Sequence, residues 1–570
     1  MRILLLTHAF NSLTQRLAAE MQQLGHQISI EFDIADSVTE EAVALFAPDL
    51  IVAPYLRRAI PESIWSRIVC LIVHPGIVGD RGPSALDWAI HNHATEWGVT
   101  VLQAQAEMDA GPVWASVSFP LRQARKSSLY RHEVTQAASQ ALMQALQRFE
   151  SGNHAPQALA TLPSARGQLR PLMQQEQRCL DWQRDSSATV LNRLYAADGF
   201  PGVADSLFGQ PCHLFDAWPE ATLRGAPGSV IARRETALLR ATADGAVWIG
   251  HVKRAGSIKL PVALAFADDA QALPQKLLPD WWRCDAPTWQ DIAYEEEGQL
   301  GFLFFEFYNG AMSTSQCDRL RTALRWAKQR PTKVLLLMGG DDFWSNGIHL
   351  NVIEAASLSG GSAADESWRN INAINDLALE LINTEQQITV AALGGNAGAG
   401  GCFLARACDL VWAREAVLLN PHYKNMGNLY GSEYWTYLLP RRMGSDAAQA
   451  IMRERQPMTA RHALQTGFTD ACVDGELPAF RAEVAQRAAA LAAEPDLAQK
   501  LAAKRESRQR DEAIKPLSSY REEELTQMRR NFYGFDPSYH IARHHFVHKS
   551  PASWTPRHLA RHRDLGWRLP

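Results

Sequence analysis

Short apolar runs alternate with amphipathic stretches through the first 120 residues. Ile3 to Leu6 is an unbroken apolar run, followed by the polar loop Thr7 to Ser12. Leu13 to Leu24 has helical spacing and stops at Gly25, a residue suited to a helix C-terminus. Further apolar runs stand at Ile28–Phe32, Leu50–Ala53, Ile68–Val73 and Val99–Leu102, with helical segments between them. That alternation predicts right-handed βαβ units and a parallel sheet. No GxGxxG follows the first strand, so a dinucleotide is not implied. A helix over Leu129–Phe149 precedes a polar stretch rich in Ala, Pro, Gly and Gln, Ser151 to Gln177, which reads as a linker.

The pattern then changes twice. From Leu180 to Phe266, short runs such as Gly228-Ser-Val-Ile-Ala and Ala246-Val-Trp-Ile-Gly predict a small β-rich barrel. Ala267 to Thr288 reads as a second connector. A new α/β unit opens at Leu300 with Gly301-Phe-Leu-Phe-Phe-Glu-Phe, and strands are predicted at Val334–Met338, Ile388–Leu393 and Asp409–Trp412. Beyond Gly444 the pattern is nearly all helical, Ala-rich through Lys504, and from Arg529 it is basic with many His and aromatic residues. The boundaries fall at 1–165, 178–285, 295–490 and 491–570. A chain of 570 residues accommodates three to five domains at roughly 100 to 200 residues each.

Composition narrows the function classes. The hydrophobic fraction is 46% and the formal net charge −4, so sizeable cores can be buried and no charge excess points to nucleic acid or an anionic membrane. No apolar run is long enough to span a bilayer, and Met1-Arg-Ile-Leu-Leu-Leu-Thr is too short for a signal-peptide core. The eight cysteines are scattered without a CxxC pair, which predicts reduced core thiols, a cytoplasmic location and no metal.

The first chemical constellation lies between residues 70 and 115. His74-Pro-Gly sits just past the strand ending at Val73, and the C-terminal edge of such sheets is where sites form. The loop to Ser84 is shaped by glycine and proline. Glu107-Met-Asp-Ala-Gly follows the next strand, so Asp109 can stand against His74, fix its tautomer and raise its basicity. On residues alone, His74 can equally be a loop residue and Asp109 part of a turn. Ala47-Pro-Asp-Leu-Ile-Val-Ala, Val73-His-Pro-Gly, Gly79-Asp-Arg-Gly-Pro, Trp97-Gly-Val-Thr-Val and Met108-Asp-Ala-Gly together resemble the methionyl-tRNA formyltransferase and 10-formyltetrahydrofolate dehydrogenase family. Arg178-Cys-Leu-Asp-Trp and Phe200-Pro-Gly-Val resemble its smaller C-terminal domain. The resemblance implies a Rossmann-like formyltransferase fold, with His74 and Asp109 as catalytic residues. It also places the pterin against backbone after the fourth strand, at Leu56-Arg57-Arg58. The family's Asn, two residues before the His, maps to Ile72, so oxyanion stabilisation must come from His74, a backbone N–H or another side chain. Gln15 and Arg131 are candidates for reaching this site; the other reading is a solvated helix face.

The second constellation pairs Ser345-Asn-Gly-Ile-His-Leu with Gly394-Gly-Asn-Ala-Gly-Ala-Gly-Gly-Cys-Phe-Leu-Ala. Glycines let backbone N–H groups approach a ligand at a helix N-terminus, and one such group from each loop makes an oxyanion hole for a thioester carbonyl. Tight turns and close helix packing explain most Gly-rich runs equally well. Trp344-Ser-Asn-Gly-Ile-His-Leu and Gly395 through Cys408-Asp-Leu resemble the crotonase (enoyl-CoA hydratase/isomerase) superfamily. That implies an α/β spiral domain binding coenzyme A, with Ile348 and Gly400 supplying the N–H groups and Gly347, Gly401 and Asn309 close by. The two hydratase carboxylates are absent: Phe403 and His422 stand in their places. Tyr423 and Glu433 remain as partners for proton transfer, with Tyr423 as the shuttle and Glu433 its helper; His422 and Tyr423 can also be packing residues.

The order of the two modules, with Phe307-Tyr-Asn-Gly-Ala-Met-Ser-Thr and Asn420-Pro-His-Tyr-Lys, resembles the HypX/HoxX family of hydrogenase maturation factors. The resemblance implies that 10-formyltetrahydrofolate donates a formyl group to coenzyme A, and that formyl-CoA is decarbonylated to carbon monoxide for nickel–iron hydrogenase. Maturation proteins are then possible partners. Two other readings stay open: a formyltransferase acting on an amine beside a separate CoA-thioester hydrolase, and a non-catalytic folate- and CoA-sensing scaffold. The basic tail with Arg543, His544, His545 and Lys549 can clamp CoA phosphates, bind a partner, or be a solvated terminus.

Overall fold

The computed structural model describes residues 1–152 and 155–564. The first sheet contains β1 (Arg2–Thr7), β2 (Gln27–Phe32), β3 (Leu50–Tyr55), β4 (Cys70–His74), β5 (Glu96–Gln103) and β6 (Val113–Pro120), in the order β2-β1-β3-β4-β5-β6. Side chains alternate between its faces. Ile3 and Leu5 pack with Leu17, Met21 and Leu142, whereas Leu4 and Leu6 pack with Val43 and Ile64. Two buried faces explain the unbroken apolar runs. The expected parallel sheet is only half right. β1 to β4 are parallel, but β5 runs antiparallel to β4 and to β6. The helix between β4 and β5, Ala85–His91, is about 10 Å long at 1.5 Å per residue. That is too short to return the chain along a strand for a parallel crossover. β6 escaped the sequence reading because its outer half alternates between half-buried and exposed positions.

The stretch read as a linker is docked. Its backbone pairs Arg81 with Leu169 and Val113 with Gln157, and the Gly167 N–H donates to the Val78 carbonyl at 3.0 Å. The β-rich part contains β7 (Val203–Leu207), β8 (Gln210–Glu220), β9 (Val230–Arg234), β10 (Ala237–Ala241), β11 (Ala246–Arg254) and β12 (Lys259–Pro261). Among the described residues its ladder runs β7-β8-β11-β10-β9, with β12 on β11.

Among the described residues the second half has ten strands: β13 (Ile292–Glu297), β14 (Leu300–Phe305), β15 (Val334–Gly339), β16 (Phe343–Ser345), β17 (Ile388–Leu393), β18 (Asn396–Gly398), β19 (Leu410–Arg414), β20 (Leu418–Asn420), β21 (Met458–Thr459) and β22 (Ala471–Val473). They form two sheets, β13-β14-β15-β17-β19-β22 and β16-β18-β20-β21. Each turn of chain leaves one strand in each sheet, β15 then β16, β17 then β18, β19 then β20, which is the spiral expected here. β21 and β22 break the stretch after Gly444 that was read as helical. The late helices join the same core, which contains Leu517, Met528, Phe532 and Tyr539.

Residues 555–564 then cross back to the first sheet. The Leu559 carbonyl accepts from the Ile30 N–H at 3.1 Å, and Glu31 on β2 bonds Thr555 and, at 2.8 Å, His562 Nε2 and Arg563 Nε. No helix among the described residues is long and apolar enough to cross a membrane.

Candidate functional site

The parallel strands β1, β3 and β4 end at one edge of the first sheet, so the segments after Thr7, Tyr55 and His74 converge there. His74 is buried between two carboxylates. Asp80 Oδ2 lies 3.0 Å from Nε2, and Asp109 Oδ1 lies 3.6 Å from Nδ1. Asp109 therefore reaches His74 as expected, but the closer partner is Asp80, which received no role from the sequence. Asp80 occupies the shaped loop between Gly79 and Gly82, and that setting was the available signal. A Cβ on Gly76 would collide with both His74 Nε2 and Asp80 Oδ2, so glycine is required beside this pair. Asp109 adopts φ +56° and accepts from the Gly82 N–H at 3.2 Å, which fixes its approach.

Leu56, Arg57 and Arg58 follow β3, the third strand rather than the fourth. The Arg57 N–H donates to Asp33 Oδ2 at 3.2 Å, and the exposed Arg58 guanidinium bonds Asp36. The backbone here is therefore held, Leu56 packs against the core, and the two arginine side chains stay outside. Ile72 pairs with Ala53 and Leu102 in the sheet and offers no polar atom to an oxyanion.

Gln15 and Arg131 are not solvated helix faces; both reach the second half. Gln15 Oε1 accepts from Asn420 Nδ2 at 3.0 Å. Arg131 donates to Asn309 Oδ1 at 3.0 Å and Asp342 Oδ2 at 3.2 Å, and lies 4.5 Å from the centroid of the Phe343 ring. Asp342 is held far below the usual carboxylate range: burial opposes this, but His132 and Arg131 outweigh it. A polar cavity of about 160 Å³, lined by Arg125, Tyr195, Trp218, Glu306 and Asp342, opens where the three parts of the chain meet.

In the second half, Ile348 lies in the loop after β16, and Gly400 is the first residue of the helix Gly400–Arg406. Its N–H has no acceptor within that helix. A Cβ on Gly347 would stand 3.1 Å from the Gly400 nitrogen, and one on Gly401 would collide with the Ser345 carbonyl. The two loops touch through glycine, bringing Ile348 and Gly400 together.

Glu433 packs against these loops. It is 1% exposed, and its Oε1 occupies the space a Cβ on Gly400 would need. That oxygen has no hydrogen-bond partner, whereas Oε2 accepts a short bond from the Tyr423 hydroxyl. Burial pushes the Glu433 carboxyl up to about 7, with the Tyr423 hydroxyl and the Ser432 backbone opposing it. Burial and the Glu433 charge push the Tyr423 phenol well above its usual value. This geometry reverses the expected order: Tyr423 holds Glu433, and Glu433 presents the free oxygen. Glu433 and Tyr434 adopt φ +59° and +61°, sparsely populated for such residues. Asn375 Oδ1 accepts from the Glu433 N–H at 2.8 Å and Glu524 Oε2 from the Tyr434 N–H at 3.0 Å, which holds them there. Phe403 stacks on Tyr423 with centroids 5.2 Å apart. His422 is buried with both ring nitrogens unpartnered, and burial, with His558 and Arg455 nearby, lowers it to about 4. Arg543 is not a free cation; it is buried against Glu354 at 2.8 Å.

Three family models match the chain: Formyl transferase over residues 21–146, Formyl transferase, C-terminal domain, over 172–268, and Enoyl-CoA hydratase/isomerase over 308–557. A methionyl-tRNA formyltransferase of Trichlorobacter lovleyi is 27% identical over 42% of the chain and 75% of its own length. The crystal structure of HypX from Aquifex aeolicus in complex with tetrahydrofolic acid superposes with a TM-score of 0.96 at 46% identity, covering 100% of both chains. The hydrogenase maturation factor HoxX of Bradyrhizobium diazoefficiens is 54% identical over 99% of the chain and 97% of its own length. With formyltransferase and crotonase modules in this order, and that identity from end to end, the chain belongs to the HypX/HoxX family of hydrogenase maturation factors.

Proposed function

We propose that the chain transfers the formyl group of 10-formyltetrahydrofolate to coenzyme A and decarbonylates formyl-CoA, supplying carbon monoxide for nickel–iron hydrogenase maturation. The observation that carries the reading is Glu433: one ionisable carboxylate oxygen, buried and unpartnered, packed against Gly400 where both hydratase carboxylates are lacking. Water addition to an enoyl thioester needs those carboxylates. Loss of a proton from a formyl group needs one base near an oxyanion hole. The tetrahydrofolate complex of the Aquifex relative supports a folate substrate for the first half.

Coenzyme A, when bound, supplies the thiol that accepts the formyl group. Arg131 and Asn309 would hold its polar parts, and Gly347 and Gly401 let the two loops close so that the Ile348 and Gly400 amides stand together. His74, set by Asp80 and Asp109, takes the thiol proton and returns it to the folate nitrogen as the C–N bond breaks and the C–S bond forms. The Ile348 and Gly400 N–H groups hold the formyl-CoA carbonyl. Glu433 then takes the formyl hydrogen as a proton while the C–S bond breaks, and returns it to the thiolate. Both steps are redox-neutral, and the products are tetrahydrofolate, carbon monoxide and free CoA. Tyr423 acts on Glu433 as a positioning residue.

The test is to incubate the purified protein with formyl-folate and CoA, trap carbon monoxide with deoxyhaemoglobin, and follow formyl-CoA by mass spectrometry. Carbon monoxide should appear only with both substrates. Formation without CoA, or a formyl-amine as the sole product, refutes the scheme.

A further inference from the structure

The helix Ser538–His548 carries His540, His544 and His548 at four-residue spacing, on one face. Two of these meet a carboxylate from the helix Leu350–Leu358. Glu354 Oε1 lies 3.0 Å from His544 Nδ1 and 3.1 Å from His548 Nε2, and the three atoms lie within 4.8 Å of one another. A first-row divalent ion bound to nitrogen and oxygen at about 2.0–2.1 Å sets neighbouring ligand atoms about 3.0–3.4 Å apart, for octahedral to tetrahedral angles. The two Glu354–histidine separations already have that spacing, and the two histidine nitrogens lie within 4.8 Å of each other.

The surroundings fit the same use. Glu354 is 3% exposed, and its second oxygen accepts from Arg543 Nε at 2.8 Å. That bond orients the carboxylate and leaves Oε1 for the cluster, as outer partners do at metal sites. The histidines face solvent, with side-chain exposures of 54% for His544 and 31% for His548, so an ion has an entry path. His540 is outside the cluster; its Nε2 bonds the Phe532 carbonyl at 2.9 Å.

We propose that Glu354, His544 and His548 bind one divalent first-row transition-metal ion, which pins the helix Ser538–His548 to the helix that begins just after Ile348. This site is separate from the His74 and Glu433 sites and enters neither reaction step. A merely ion-paired cluster would keep its hydrogen bonds without any metal, and glutamine separates the two cases. Its amide can still donate to Glu354 but is a poor metal ligand.

The experiment uses the full-length, untagged protein after chelator treatment, titrated with Co²⁺. The expected result is visible d–d absorption saturating at one ion per chain, with affinity reduced at least tenfold in the His544→Gln/His548→Gln variant. Zn²⁺ should displace the cobalt and raise the melting temperature of the wild type but not of the variant. Single His544→Ala, at a half-exposed position, serves if the double variant does not fold. Cobalt spectra and Zn²⁺-dependent melting that are unchanged by these substitutions would overturn the proposal, as would the absence of any d–d band.

Discussion

Replacing Glu433 with glutamine removes a charge while nearly preserving volume, and its two consequences have opposite sign. Burial lifts the carboxyl from its ordinary 4.5 to about 7. At about 1.4 kcal/mol per pH unit, keeping it ionised above pH 7 costs the fold about 3 kcal/mol. The folded state binds this proton more tightly than the unfolded chain does. Stability from this group is therefore greatest below about pH 4.5 and declines as pH rises to about 7. Glutamine has no such dependence, but it buries an amide where Oε1 has no partner, at about 1–2 kcal/mol. Glu433→Gln should thus be about 1–2 kcal/mol more stable than wild type at pH 8 and about as much less stable near pH 4.5. Urea unfolding at the two pH values measures the difference. Carbon monoxide output should fall by about 10²–10⁴, the usual worth of a general base, while formyl-CoA accumulates. In the wild type, the decarbonylation rate should rise with pH through a single ionisation near 7, because the carboxylate is the active form. An unchanged sign of the stability difference across pH would refute the buried-charge argument. Full carbon monoxide output from the variant would refute the role of Glu433.

Tyr423→Phe removes a bond that lowers the Glu433 ionisation, so the pH profile for carbon monoxide should move upward while formyl-CoA formation is retained. Gly400→Ala places a methyl where Glu433 Oε1 lies and should abolish decarbonylation, with formyl transfer intact by mass spectrometry. Asp80→Asn should slow formyl-CoA formation more than Asp109→Asn, since Asp80 is the closer partner of His74; equal effects count against that ranking. His562→Ala leaves Glu31 buried with fewer partners and should destabilise the protein by about 2–3 kcal/mol, with faster hydrogen exchange along β2.

His74 was legible because it directly follows an apolar run, and a strand end is a place as well as a pattern. Asp80 was not, since nothing local says which way a side chain in a glycine-shaped loop points. Glu433 stood out once the hydratase carboxylates were missed, but its rank above Tyr423 depends on which oxygen is left unpartnered. That depends on burial and on Asn375 and Glu524, both distant in sequence. Arg543 read as a free cation because Glu354 lies 189 positions away. The strands β16, β18, β20 and β21 are two or three residues long, too short for a period of two to register. β14, β15 and β17, buried on both faces, stood out at once.

Residues 555–564 give the chain the connectivity of a closed ring. The peptide chain joins the two halves through the β-rich part, Gln15 and Arg131 bond the second half directly, and the Glu31–His562 attachment joins them again on β2. A hinge works by opening on one side, and a ring has no open side. Large swings between the modules therefore require breaking the Gln15 and Arg131 contacts and detaching this end segment, at the cost of the buried hydrogen bonds of Glu31. In the proposed scheme, a formyl thioester passing between the His74 and Glu433 sites would move within a nearly fixed frame. Such a thioester would stay at high effective concentration near its second site, and its loss to bulk water would then measure how often the ring comes apart.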